Sequence, residues 1–189
     1  MPPAALSVLR EDTPAEPNEP YGRSKLAAEH GLAELDIDWV ALRPVLVYGP
    51  GVKGNMAALL KLARSPWPLP LASLTAKRSL VAVDNLAAAV DLVLAAPGPL
   101  RRPFIVADRD AVTVADIVAH LRAGMGRRAG LLPAPLSLLS AAAALGGRRE
   151  MFERLTGSLV VDTAAIGALG FAPPLTTGEG LRRLGASER

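Results

Sequence analysis

The chain has 189 residues, of which 50% are hydrophobic and 21% charged. That fits one ordinary domain with a core of its own and excludes disorder as the default state. Lys and Arg number 21 against 18 Asp and Glu, and no run of like charge exceeds two, so no basic footprint for nucleic acid is present. Cys is absent, which removes disulfides and thiolate chemistry and fits a reducing, cytoplasmic setting. His30 and His120 lie ninety positions apart, form no metal-ligand cluster, and are expected as surface helix positions.

In chain order, the opening Met1-Pro2-Pro3-Ala4-Ala5-Leu6 lacks the charged start and long apolar run of a secretory signal. Residues 10–20 hold Pro14, Pro17 and Pro20 among four acids and one Arg, and read as a loop. A helical pattern runs from Tyr21 to about Asp36. Trp39 to Val47 has β character and is interrupted by Pro44, so a strand ends there and the chain continues extended. Gly49-Pro50-Gly51 makes a turn, and Asn55 opens a helix to about Ala63. Pro66 to Leu71 reads as a loop or an edge strand.

Further on, Leu80–Val83 is expected as a short strand, with Asp84 capping a helix 85–96 that Pro97-Gly98 stops. Phe104 to Ala107 is a strand, and Thr113 caps the next helix. Residues 129–147 carry no charge, but Pro133 and Pro135 confine the helical part to about 135–145, too short for a membrane span. An Ala-rich helix of this kind also packs against a second subunit, which leaves a homodimer open. A helix at 149–156, a strand at 159–161, a short helix at 163–169 ended by Gly170, and a last helix capped by Thr177 complete the pattern. Strands alternating with helices indicate an α/β architecture with parallel pairing, and the second half is the smaller, more mixed part.

Tyr21 and Lys25, in Tyr21-Gly22-Arg23-Ser24-Lys25, lie one turn apart on one helix face. A phenol is a poor base at neutral pH, and a neighbouring ammonium favours its phenolate. The pair therefore suits moving a proton on and off an alcohol or sugar hydroxyl. Gly49 to Gly54 spells G-x-G-x-x-G, but no acid follows until Asp84 and the strand before it holds Arg43-Pro44, so it reads as a turn and not a dinucleotide fingerprint.

Four segments in order carry a resemblance. Tyr21-Gly22-Arg23-Ser24-Lys25-Leu26-Ala27-Ala28-Glu29 is the first and Leu42-Arg43-Pro44-Val45-Leu46-Val47-Tyr48-Gly49-Pro50-Gly51 the second. Lys77-Arg78-Ser79-Leu80-Val81-Ala82-Val83-Asp84 and the ending from Ser158 to Arg183 are the third and fourth. Together they resemble the extended short-chain dehydrogenase/reductase family, and within it the NAD-dependent nucleotide-sugar epimerases and dehydratases.

The resemblance implies the C-terminal part of a Rossmann-like parallel sheet with a smaller mixed α/β substrate domain. Residues 1–54 would be the remnant of the NAD-binding domain, and 55–189 mainly the substrate domain, with about 80–107 returning to the sheet. It implies Tyr21 as proton acceptor, Lys25 on the nicotinamide ribose, and Pro44, Val45 and Val47 at the nicotinamide end. Asn55, Met56, Arg78 and Arg154 would meet a UDP-sugar, with Arg78 as a diphosphate clamp. Leu46 stands where several UDP-sugar 4-epimerases have a substrate-binding Asn.

The family's Gly-rich loop has no counterpart in the chain, so the NAD site would be incomplete and epimerase activity weak or absent. Ser7 is a poor match to the family's catalytic Ser by spacing. A dehydratase, a reductase or a non-catalytic nucleotide-sugar or partner-binding module are the alternatives.

Overall fold

A computed structural model of the chain describes residues 8–147 and 149–188. The fold is α/β with Rossmann-like parallel strands. Its centre is the β run that Pro44 divides. The first piece, β2 (Val40–Pro44), pairs in parallel with β6 (Arg102–Val106). The second, β3 (Leu46–Tyr48), pairs in parallel with β5 (Leu80–Ala82). Val45 at the break donates its N–H to the Val106 carbonyl, and Asp108 just past β6 donates to the Leu80 carbonyl, so the two ladders are stitched together. The interruption expected at Pro44 is therefore where the chain changes strand partner.

The remaining strands are short. β1 (Val8–Leu9) pairs in parallel with β8 (Val160–Val161), and β4 (Lys77–Arg78) is antiparallel to β7 (Val112–Thr113). The helices are α1 (Pro20–Ala33), α2 (Gly54–Arg64), α3 (Val83–Ala95), α4 (Val114–Gly124), α5 (Leu136–Leu145), α6 (Arg149–Thr156), α7 (Ala164–Gly167) and α8 (Thr177–Ser187). Among the described residues no helix is long and apolar enough to cross a membrane.

Two apolar clusters hold these elements. One joins α2, α4 and α8 through Met56, Leu60, Ile117, Leu121, Leu181 and Leu184. The other lies where α3 and α7 meet the sheet, around Val81, Ala89, Phe104, Val106 and Ile166. α4 and α8 approach at backbone distance because both crossing positions lack a side chain. A Cβ on Gly124 would stand 2.0 Å from the Arg182 carbonyl oxygen, and one on Gly185 2.2 Å from that of Leu121. By contrast, neither α1 nor α5 has a buried residue.

Three expected helix starts are displaced. α3 begins straight out of β5 with Ala82 as its cap, so Asp84 sits in the first turn, where its charge favours the dipole without capping. The cap of α8 is Thr176, whose hydroxyl accepts from the Glu179 N–H while the Glu179 carboxylate accepts from the Thr176 N–H. Thr177 is instead buried and donates to the Asp110 carbonyl at 2.8 Å. Asn55 is the second residue of α2, behind Lys53 as cap. Thr113 does cap α4, in a reciprocal box with Asp116.

Candidate functional site

Pro20 starts α1 as its first residue, where its missing N–H costs nothing and its fixed φ suits the helix. One turn holds the pair. The Lys25 ammonium lies 5.5 Å from the centre of the Tyr21 ring, and Tyr21 is 73% exposed. At that distance the cation meets the negative face of the ring. Ser24 Oγ donates to the Tyr21 carbonyl at 2.8 Å, and Arg23 donates to the Asn18 carbonyl at 2.9 Å, tying the helix start to the preceding loop.

Further along α1, the Arg43 guanidinium of β2 grips Glu29 with two donors, Nε at 3.0 Å from Oε2 and Nη2 on Oε1. Its third nitrogen, Nη1, donates to the Glu11 carbonyl at 3.1 Å. The Glu11 carboxylate in turn accepts the Ile105 N–H of β6 at 2.8 Å.

Of the three positions expected at the nicotinamide end, Pro44 is exposed, whereas Val45 and Val47 are half-buried against the sheet cluster. Asn55 is exposed in the first turn of α2, but the Met56 side chain is fully buried, so only its backbone faces that turn's open end. Arg78 is half-buried at the end of β4 and donates to the Gly157 carbonyl at 3.0 Å. Burial holds its guanidinium below the usual arginine range. Ser7 and the side chain of Arg154 lie outside the described residues.

The glycines of Gly49-Pro50-Gly51-Val52-Lys53-Gly54 have local explanations. A Cβ on Gly49 would meet Val83 Cγ1 at 2.6 Å, so that glycine makes room for packing. Gly51 and Gly54 have φ of 74° and 62°, which the turn itself requires. The segment between β3 and α2 therefore needs no cofactor to account for it.

The sequence reading missed a buried polar cluster behind β3. Asp108, just past β6, accepts from Tyr48 Oη at 2.8 Å, the Ala82 N–H at 2.9 Å and Asn85 Nδ2 at 2.7 Å. Asn85 also bonds the Leu175 backbone in both directions. Burial, then the charge and hydrogen bond of Asp108, raise the Tyr48 phenol far above the ordinary tyrosine value. No local sequence signal marks Asp108, because its partners come from two distant segments, Tyr48 and 82–85.

His120 is likewise not a plain surface residue. It is half-buried between α4 and α8, with Nδ1 at 3.2 Å from Arg182 Nη1. Burial and that cation lower its pKa, so the neutral ring is favoured. A cavity of about 250 Å³ opens beside the cluster, between Tyr48, Gly49, Asp84, Gly180, Arg183 and Ser187. Tyr21 and Lys25 do not line it.

A model of the NAD dependent epimerase/dehydratase family matches residues 2–107. UDP-glucose 4-epimerase of Vibrio cholerae is 37% identical over 176 residues, which is 88% of this chain and 53% of that protein. The chain thus spans about half the length of that relative.

Among solved structures, the UDP-N-acetylglucosamine 4-epimerase from Bacillus cereus is similar with a TM-score of 0.71 at 19% identity, over 97% of this chain and 59% of that one. The dTDP-glucose 4,6-dehydratase from Bacillus anthracis, solved in complex with NAD, has a TM-score of 0.68 at 15% identity, over 98% and 57%. These two likenesses establish the fold, while the family match and the Vibrio relative establish descent. The chain belongs to the NAD dependent epimerase/dehydratase family.

Proposed function

We propose that this chain carries the proton-transfer pair and the substrate side of a UDP-sugar 4-epimerase. The observation that carries the reading is the Tyr21–Lys25 pair on the first turns of α1, phenol against ammonium, in a chain 37% identical to a UDP-glucose 4-epimerase. In this reading the Tyr21 oxygen takes the proton of the sugar hydroxyl and returns it. Lys25 holds the nicotinamide ribose. NAD, when bound, supplies the place where the hydride rests between abstraction and return at the same carbon.

In this reading the residues meet the nicotinamide end of that cofactor. Tyr21 and Lys25 are exposed side by side on one helix face, and Pro44, Val45 and Val47 are assigned to the nicotinamide end. The glycines of 49–54 are explained by packing and turn geometry, so this reading does not use them as a pyrophosphate cradle. Epimerisation by these 189 residues alone is accordingly expected to be weak or absent.

On the substrate side, Asn55 and the Met56 N–H belong to the first turn of α2, where backbone donors lack helical acceptors and suit a diphosphate. Arg78 is assigned as the guanidinium clamp, and Arg154 as a second cation for the same group. Residues 1–54 form the cofactor side and 55–189 mainly the substrate side. The pairing of β6 with β2 supports a return of about 80–107 to the sheet. A dehydratase or reductase of the same family is the alternative, and a 4,6-dehydratase shares the fold.

The test is calorimetric titration of the chain with UDP-glucose. Binding is expected, weakened at least tenfold by Arg78→Ala through loss of a charge-assisted contact worth about 1.5–3 kcal/mol. Unchanged binding in Arg78→Ala would remove the clamp from the proposal.

A further inference from the structure

We infer that Arg43 is the positioning residue for the Tyr21–Lys25 pair: by gripping Glu29 it clamps the stripe of α1 that carries the pair against β2. The inference rests on the reading of that pair as the reacting one. Tyr21, Lys25 and Glu29 are spaced at i, i+4 and i+8, so they form one stripe along the helix. Glu29 is the member of that stripe in contact with the sheet, through two donors of Arg43. Arg43 therefore fixes the Glu29 end of the stripe on β2, and Lys25 and Tyr21, each turned about 40° further around the helix, stay exposed beyond it.

Only residues 34–39 separate α1 from β2, so the chain reverses and the start of α1 lies towards the end of the strand. Tyr21 is eight residues from Glu29, about 12 Å along a helix at 1.5 Å per residue. The same distance is between three and four residues of strand at about 3.3 Å each. Counted from Arg43, that brings Tyr21 level with Leu46 and Val47. The clamp thus determines where the phenol stands relative to the segment assigned to the nicotinamide.

The need for such a clamp is visible in the burial. α1 has no buried residue, so apolar packing does little to fix its rotation or its height on the sheet. The ion pair is better shielded than the helix it holds, with Arg43 29% and Glu29 16% exposed. A planar guanidinium gripping a carboxylate with two donors fixes direction as well as distance. Arg43 also fastens the loop before α1 through the Glu11 carbonyl, and Glu11 is in turn pinned to the Ile105 N–H. One side chain thereby joins α1, β2 and the loop that leads to Tyr21, and Glu11 carries the connection on to β6.

The experiment uses the whole chain with 3-fluorotyrosine in place of its two tyrosines, Tyr21 and Tyr48, and reads fluorine resonances together with amide exchange. Arg43→Met is expected to shift or broaden the Tyr21 resonance and to speed exchange across 20–33 about tenfold or more. The Tyr48 resonance and the protection of α4 should stay as they are. Exchanging the charges, Arg43→Glu with Glu29→Arg, should return the Tyr21 resonance and the α1 protection towards the original.

Unchanged exchange in α1, or an equal loss in α1, α4 and at Tyr48, would overturn the inference. So would failure of the exchanged pair to restore a folded α1. If Arg43→Met yields no folded protein, Glu29→Gln decides by the same criteria. Tyr21→Phe and Lys25→Met should leave α1 protection intact. A loss of the proton-transfer reading would then show in those two variants and not in the clamp.

Discussion

The helical layer of α2, α4 and α8 and the single helix α1 are held in opposite ways. The layer buries Met56, Ile117, Leu121 and Leu181 completely and brings two helices to backbone contact at Gly124 and Gly185. α1 has no buried residue and is fastened by Arg43, Glu29 and the Glu11 loop. The proposed substrate side is thus built on a packed core, whereas the proposed proton-transfer pair is built on a charged clamp.

The widest separation of the two regions is expected from side-chain truncation. Leu121→Ala removes a fully buried side chain from the α4–α8 contact and should cost about 2–5 kcal/mol. Leu26→Ala, on the half-buried part of α1, should cost less than about 1 kcal/mol, because little of its surface leaves water on folding. Denaturant titration of both variants measures the difference. Equal losses would mean that α1 is packed as firmly as the core.

A smaller effect should appear at alkaline pH and only on the packed side. The Tyr48 phenol donates to Asp108, and its pKa is raised above the unfolded value. A group shifted in that direction contributes stability that is fully present below about pH 10 and is lost as pH rises further. The slope is at most about 1.4 kcal/mol per pH unit for one proton. Stability curves between pH 8 and 11 should therefore bend downwards above pH ~10 in the unaltered chain, and less so in Tyr48→Phe. Parallel curves would show that Tyr48 does not carry the shift.

Much of this contrast was readable from the sequence. The turn-to-turn spacing of Val114, Ile117, Val118 and Leu121 marked a buried helix face, and Thr113 marked its start. Pro44 marked the change of strand partner. The start of α8 could also have been read correctly. Thr176 has Glu179 three residues on, as a reciprocal cap requires, whereas Thr177 has Gly180 there.

Asp84 was misread because a strand runs into α3 without a loop, leaving no extended residue after Ala82 to act as cap. The adjacency of Tyr21 and Lys25 on one helix face was legible from their spacing. Arg43 was noticed only as an obstacle to a buried strand. A charge in the middle of Val40-Ala41-Leu42 and Pro44-Val45 needs a partner, and Glu29 at i+4 from Lys25 was the residue to test. The Asp108 cluster was not legible, since Tyr48, Ala82, Asn85 and Leu175 meet only through the tertiary fold.

The central proposal is that these residues carry the substrate side and the nicotinamide-end pair of a nucleotide-sugar epimerase, with no pyrophosphate cradle among the described residues. Calorimetric titration of the chain with NAD, run beside the UDP-glucose titration, tests it most directly. The account predicts that NAD binds with a Kd of about 1 mM or weaker, an affinity of no more than about 4 kcal/mol, while UDP-glucose binds more tightly. Micromolar NAD binding would contradict it, because the 189 residues would then contain a complete cofactor site.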